Sequence, residues 1–293
     1  MSGIGDVAVT PVTIEYLKKN YSARIDDSFT GLVTLTSVSA QLSEVTPGCL
    51  YVPCHAERAS AEGLTANLEA AVERGAYAIV LPEALPFRIN TSDVGIPVLF
   101  APAMDAHLGE LAAYMAGEPS ESIAVFVVFG HNAQAASQKV ATLLHILGNP
   151  VGLISRESSY SLNRAMTLHF PLSAAVVQRT LAVMLEDGVT ALAIAADETT
   201  LDPHALAGTH IDVSAGLALG LTDLPFGAHY DPETHEVTTG MYSRDLAQVQ
   251  STIPLTDEAD VTSVSMTLGA GITLDSIRQA LSVAEEFSPP TEP

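Results

Sequence analysis

Tryptophan is absent from the 293 residues, and lysine is nearly so: Lys18, Lys19 and Lys139 are the only three. Chemistry that needs an ammonium group must therefore use one of those positions. Basic residues are scarce as a class, with 12 Lys+Arg against 34 Asp+Glu and a formal charge of −22. Such a surface repels a nucleic-acid backbone or an anionic leaflet, and no basic patch offsets it, so no nucleic-acid partner is expected. Of cysteines there are two, Cys49 and Cys54. Five positions apart, they match neither a CxxC redox pair nor a four-ligand zinc pattern, and read as small apolar residues in a reducing cytosol. Long apolar runs are also missing. The longest, Ile123 to Phe129, is far short of the roughly 20 residues that span a bilayer, and Met1 to Asp6 lacks a basic signal-peptide start. The expectation is a soluble cytoplasmic protein without membrane insertion.

What is present is enough apolar material for a folded chain: 47% hydrophobic and 16% charged residues exclude general disorder, and the length exceeds what one core usually serves. Two packed units are expected. In the first, Thr10-Pro11 reads as cap and first position of a helix carrying Ile14, Tyr16 and Leu17. Strands are expected at Leu32–Leu35, Cys49–Val52, Ala78–Leu81 and Ile96–Phe100, with helices at Glu62–Arg74, closed by Gly75, and Met104–Met115. The second unit opens with a strand at Ile123–Phe129, a turn at Gly130–Ala133 and a helix at Ala135–Leu147. Strands at Val151–Ile154, Ala191–Ala195 and Ile211–Leu217 surround a helix at Leu172–Asp187. Strands this continuously apolar suit a mainly parallel sheet covered on both faces. A polar hairpin over His229–Ile253 and helices at Asp260–Leu268 and Leu274–Glu286 complete the reading. The resulting division is an N-terminal α/β domain at 1–119, a central α/β domain at 120–287 and a frayed tail at 288–293.

Gly130-His131-Asn132-Ala133-Gln134-Ala135 lies between strand and helix, where a phosphate-binding loop belongs, but its chemistry is different. Such a loop needs glycines to wrap phosphates in backbone N–H groups, a lysine to neutralise charge and a hydroxyl for magnesium. Ala133, Gln134 and Ala135 stand in those places. Lys139 lies more than a turn further along and reads as a solvated helix lysine.

These residues point to a family: the chain resembles the Mur ligases, most closely the MurE branch, which extends a UDP-MurNAc-dipeptide. Gly31-Leu32-Val33-Thr34-Leu35-Thr36-Ser37, with Val45-Thr46-Pro47-Gly48-Cys49-Leu50-Tyr51-Val52, is similar to the family's uridine-nucleotide domain. Ala70 to Val80 is similar to the helix and strand that follow. Gly130 to Gln134 occupies the place of the G-T-N-G-K loop. Gly148 to Ile154, Asp187 to Thr190, Ala207 to Val213 and Leu268 to Leu281 then come in family order. The resemblance covers two of the family's three domains, an N-terminal uridine-nucleotide-type domain and a P-loop-derived central domain, and implies that no segment supplies the amino-acid-binding C-terminal domain.

The departures fall on the residues that the family's reaction uses. Gln134 replaces the phosphate lysine, and a neutral amide cannot offset triphosphate charge. Ala195 and Thr199 align with the magnesium-binding glutamate and the histidine of the "EVSSH" segment; Asp197 and Glu198 lie near by as weak metal candidates. His169 and Phe170 replace the threonines of the "TTP" motif before Pro171, and Gly216 to Gly220 stands where "NLT.DH" would be. The arginine of "DSR" is missing from Ser37 to Gln41, leaving Ser37, Ser39, Gln41 and the loop residue His55 as candidate nucleotide-sugar contacts. His229 and His235 could make a two-ligand metal site but read as an exposed polar pair, and no GxSxG elbow is present. The expectation is a catalytically inactive Mur-ligase-like protein with no cofactor, binding or regulating cell-wall synthesis or division proteins, with UDP-MurNAc-peptide as a candidate ligand. The alternative is an ATP- and magnesium-dependent amide ligase completed by a partner subunit, with Lys139 reaching the phosphate and Asp197 or Glu198 holding the metal.

Overall fold

The computed structural model describes residues 11–25, 33–130, 132–216, 228–230, 237–239 and 258–287. It divides into two compact units: Met1–Glu118 with Ser173–Arg179 and Ala205–Thr209, and Pro119–Leu172 with Thr180–His204 and His210–Pro293.

The first unit is built on β1 (Val12–Thr13), α1 (Ile14–Tyr21), β2 (Arg24–Ile25), β3 (Thr34–Leu35), β4 (Ser37–Ser39), β5 (Cys49–Tyr51), α2 (Ala61–Glu73), β6 (Ala78–Pro82), β7 (Val98–Ala101) and α3 (Met104–Met115). Its sheet runs β2-β7-β6-β5-β4, parallel from β4 to β7, with β2 antiparallel at the edge. Alternation along each strand splits the apolar runs between two cores. Leu50, Val52, Ala78, Val80, Leu99 and Ala101 join residues of α1 and α3. Cys49, Tyr51, Ile79, Leu81 and Val98 instead meet Leu64, Leu68 and Ala71 of α2.

Two details differ from the sequence reading. Helix α1 is capped by Thr13, whose Oγ1 accepts from Tyr16 N at 3.2 Å, and not by Thr10. Val12 and Thr13 are extended because they pair with Leu35 and Thr34. Ser37–Ser39 is a strand despite its polar composition, because β5 beside it supplies backbone partners.

The second unit contains β8 (Ala124–Phe129), α4 (Ala133–Ile146), β9 (Val151–Ile154), β10 (Tyr160–Ser161), β11 (Arg164–Ala165), the part of α5 (Ala174–Asp187) from Thr180 onward, β12 (Ala191–Ala196), β13 (Val213–Gly216), β14 (Ala228–Tyr230), β15 (Val237–Thr239), α6 (Glu258–Gly269) and α7 (Leu274–Phe287). The main sheet runs β11-β10-β9-β12-β8-β13; β9, β12, β8 and β13 are parallel, while β10 and β11 add an antiparallel hairpin. The sequence reading had no strand at β10 or β11, since two-residue strands carry no usable periodicity. Phe126, Val128, Leu153, Ala193 and Ala195 pack against Ala136, Val140 and Leu144 of α4. Leu143, Val264 and Ile277 join α4, α6 and α7. The protein is thus a mixed α/β fold with mostly parallel sheets flanked by helices, as the apolar strand runs imply. No helix among the described residues is long and apolar enough to cross a membrane.

The Thr46-Pro47-Gly48 turn shows how a local signature becomes geometry. Gly48 has φ +87°, donates to Gly75 O at 2.9 Å and accepts from Thr36 N at 3.0 Å, which sets β5 between β4 and β6. An added Cβ would lie 2.6 Å from Thr36 Oγ1. Gly48→Ala is expected to lower stability by about 1–2 kcal/mol, from left-handed backbone strain alone, in urea denaturation.

Candidate functional site

Strand β8 ends at Phe129, and Gly130 turns the chain with φ +94°. Its N–H donates to Ala196 O at 3.3 Å and its carbonyl accepts from Ala133 N at 3.0 Å. Helix α4 therefore starts at Ala133, two residues earlier than the sequence pattern suggests, and the connecting loop shrinks to Gly130–Asn132. His131 lies outside the described residues. Ala133 is fully buried in the core under the helix. The loop sits at the carboxyl ends of β8, β9 and β12, the edge where open α/β sheets bind ligands.

Gln134 occupies the first turn of α4, and its amide is engaged at both ends. Nε2 donates to Asp197 Oδ2 and to Thr200 Oγ1, the latter at 2.7 Å. Oε1 accepts from Ser155 Oγ and from Glu157 N at 3.4 Å. One side chain thus ties α4 to the segments that follow β9 and β12. Ser155 is also held by its neighbour, its N–H reaching Ser159 Oγ at 3.1 Å and its carbonyl accepting from that hydroxyl at 2.8 Å. Ser155 and Thr200 were not singled out from the sequence. Their signal is weak: a serine one residue past an apolar strand, and a threonine three past an aspartate able to form an Asx turn.

Asp197 is the acceptor at the centre of this network. Its Oδ1 takes Thr199 N at 2.9 Å, Thr199 Oγ1 at 2.7 Å, Thr200 N at 2.9 Å and Thr200 Oγ1 at 3.1 Å. Burial opposes its charge, yet the hydrogen bonds from Thr199, Gln134 and Thr200 outweigh it and hold the carboxyl below the usual aspartate range. A carboxylate surrounded by donors is poorly disposed to bind a cation, which needs those lone pairs. Glu198 is exposed, and no group of three His, Cys, Asp or Glu among the described residues is arranged to hold a metal. Lys139 forms an ion pair with Asp260 on α6. The residues present do not fit a magnesium triphosphate: Gln134 brings no charge, Ala135 no hydroxyl, and the helix lysine is held by α6.

In the first unit the candidate nucleotide-sugar contacts separate. Ser39 is fully buried and donates to Glu44 O at 3.0 Å, a structural bond. Gln41 is half-buried at the start of a short 3₁₀ turn, and His55 is exposed. Ser37 Oγ is buried with no hydrogen-bond partner among the described residues. The residue missed here is Glu57. Its carboxylate accepts from Leu42 N at 2.7 Å and from Tyr51 Oη at 2.6 Å, while Asn67 Nδ2 reaches its carbonyl at 3.1 Å. Burial, followed by the Glu57 contact, pushes the Tyr51 hydroxyl well up. Arg58 beside it pairs with Asp105 at 2.6 Å. In the second unit, His169 is exposed and Phe170 half-buried. His229 lies on β14 opposite Thr238, and His235 is outside the described residues.

The lowered Asp197 titration fixes the sign of a pH effect. Its ionised form adds stability above the ordinary aspartate range, and that contribution disappears as pH falls through the lowered folded-state value. Asp197→Asn is therefore expected to be less stable than the parent at pH 7. The gap should narrow as pH falls below the ordinary aspartate value of about 3.9, measured by urea unfolding at each pH.

No protein-family profile matches the chain. A UDP-N-acetylmuramoyl-L-alanyl-D-glutamate–2,6-diaminopimelate ligase of Alkalilimnicola ehrlichii is 28% identical over 192 residues, which cover 62% of this chain and 38% of that protein. A solved structure of a ligase of the same description aligns with TM-score 0.52 and 15% identity, over 88% of this chain and 50% of that one. The UDP-N-acetylmuramoylalanyl-D-glutamyl-2,6-diaminopimelate–D-alanyl-D-alanyl ligase of Acinetobacter baumannii aligns with TM-score 0.51 and 12% identity, over 94% and 69%. The chain thus spans half of the first of these structures, and its sequence match takes in less than half of the curated relative. The chain is thus similar to a Mur ligase in sequence over 192 residues and to Mur ligases in fold over most of its length.

Proposed function

We propose that this protein is a catalytically silent Mur-ligase-like factor that binds, scaffolds or regulates in peptidoglycan precursor synthesis or cell division. The observation that carries the reading is the Gln134 amide. It stands where ATP-dependent relatives place the phosphate lysine, and all its bonds run inward to Asp197, Thr200, Ser155 and Glu157. Phosphoryl transfer draws its acceleration from positioned positive charge around the γ-phosphate. A neutral amide committed to protein partners supplies none. The alternative, an ATP-dependent amide ligase completed by a partner subunit, requires Lys139 to leave Asp260 and Asp197 to exchange its donors for magnesium. Both rearrangements break charge-assisted bonds, each worth about 1.5–3 kcal/mol.

Two titrations test the proposal. Calorimetry with ATP and magnesium is expected to give no saturable heat, and the double variant Ala133→Gly with Gln134→Lys is expected to restore no ligation. Saturable ATP binding, or magnesium-dependent turnover that vanishes in Lys139→Ala, would overturn it. UDP-MurNAc-peptide is the second titrant, because the buried Ser37 hydroxyl lacks a partner among the described residues and His55 is open to solvent. Saturable heat that falls several-fold in His55→Ala would make the factor a sensor of the precursor. Silence toward this titrant would confine it to contacts with cell-wall or division proteins.

A further inference from the structure

A second concave site lies in the same unit as Gln134 but at the opposite end of its sheet. The last turn of α4, the turn into β9 and the β10–β11 hairpin enclose a cavity of about 670 Å³ whose lining includes His145, Asn149, Ser158, Tyr160, Leu162 and Asn163. Leu162 N donates to Val151 O at 3.0 Å, which places the hairpin turn beside the first residue of β9. That is the amino end of the parallel strands, whereas the Gly130–Gln134 segment sits at their carboxyl ends. The proposal for this cavity is independent of the reading given to Gln134.

The lining has an unusual charge balance for a chain of net charge −22: among the described residues, no lysine, arginine, aspartate or glutamate contributes to it. Arg164, next to Asn163 in sequence, sends its guanidinium to Asp187, which also accepts from Ser161 Oγ at 2.6 Å. The cavity therefore offers no cation to a phosphate or carboxylate and no anion to an amine. It offers groups that both donate and accept. The side chains of His145, Ser158 and Asn163 hold no hydrogen bond to another described residue. Asn149 uses Nδ2 on Leu144 O at 3.0 Å, which fixes its amide and leaves Oδ1 as an acceptor. Tyr160 supplies a half-buried aromatic ring whose hydroxyl is held by Gln138. Leu162 adds apolar surface.

We propose that this cavity binds an uncharged saccharide. Sugar hydroxyls each donate and accept, as amides, hydroxyls and an imidazole do in turn, and the apolar face of a pyranose suits a single aromatic ring. The volume is within the range of small-molecule sites. A nucleobase fits less well, since one ring makes a platform and not a slot.

The test is NMR titration of the full chain with maltotriose and chitotriose as neutral probes, 3′-sialyllactose as an anionic probe and adenosine as a flat aromatic probe. At least one neutral saccharide is expected to saturate in the millimolar range, with amide shifts confined to residues 142–165, and sialyllactose to bind more weakly. His145→Ala and Asn163→Ala, both at exposed positions, should each weaken the neutral saccharide about tenfold while the folded spectrum persists. The proposal is overturned by silence of both neutral probes up to about 10 mM, by preference for adenosine, or by binding that neither variant alters.

Discussion

The Gln134 amide is the constraint on which the carboxyl edge of the second unit depends. Parallel strands end in loops that do not pair with one another, and such an edge stays open unless side chains bridge it. Here one amide does so, reaching Asp197 and Thr200 after β12 and Ser155 and Glu157 after β9. An amide suits the position because it donates and accepts at once. A lysine in its place could answer Asp197 but supplies no acceptor for Glu157 N, as Gln134 Oε1 does. The amide that brings no charge to the loop therefore also supplies a structural joint. A satisfied polar network of this kind specifies one arrangement, because any alternative leaves a partly buried carboxylate without donors.

The first unit uses the same device with the roles reversed. Glu57 is the acceptor that draws Leu42 N and Tyr51 Oη together, while Asn67 fastens its backbone. The segments following β4 and β5 are thereby held by a carboxylate. The neighbouring Arg58 is paired with Asp105, so the local cation is already partly neutralised. Ser37 and His55 differ from Ser39 in this respect. The Ser39 hydroxyl is committed to Glu44 O, whereas the Ser37 hydroxyl is buried and has no partner among the described residues.

Much of the fold was legible because its strands are buried on both faces. Ile79-Val80-Leu81 and Val125-Phe126-Val127-Val128 are continuous apolar runs, and a parallel sheet is the arrangement that hides both sides of such a strand. Helix α3 was legible to the residue. What escaped were elements made by pairing and not by pattern: β4, polar but drawn into the sheet by β5, and the two-residue hairpin strands β10 and β11. The start of α1 moved from Thr10 to Thr13 for the same reason, since β1 is extended only because β3 lies opposite.

The candidate site divides along the same line. The sequence by itself determined that Gln134 and Ala135 bring neither charge nor hydroxyl to the loop, because charge and donor capacity belong to residue type. It also determined that few ammonium groups existed to compensate. Only the tertiary structure decided where those groups spend their bonds: Gln134 on partners 21 to 66 residues away, Lys139 on Asp260 a further 121 along, and Asp197 on its own threonines. Hydrogen bonds are short and directional, so which distant residues meet follows from the packing of α4 against β9, β12 and α6, and no local spacing encodes it.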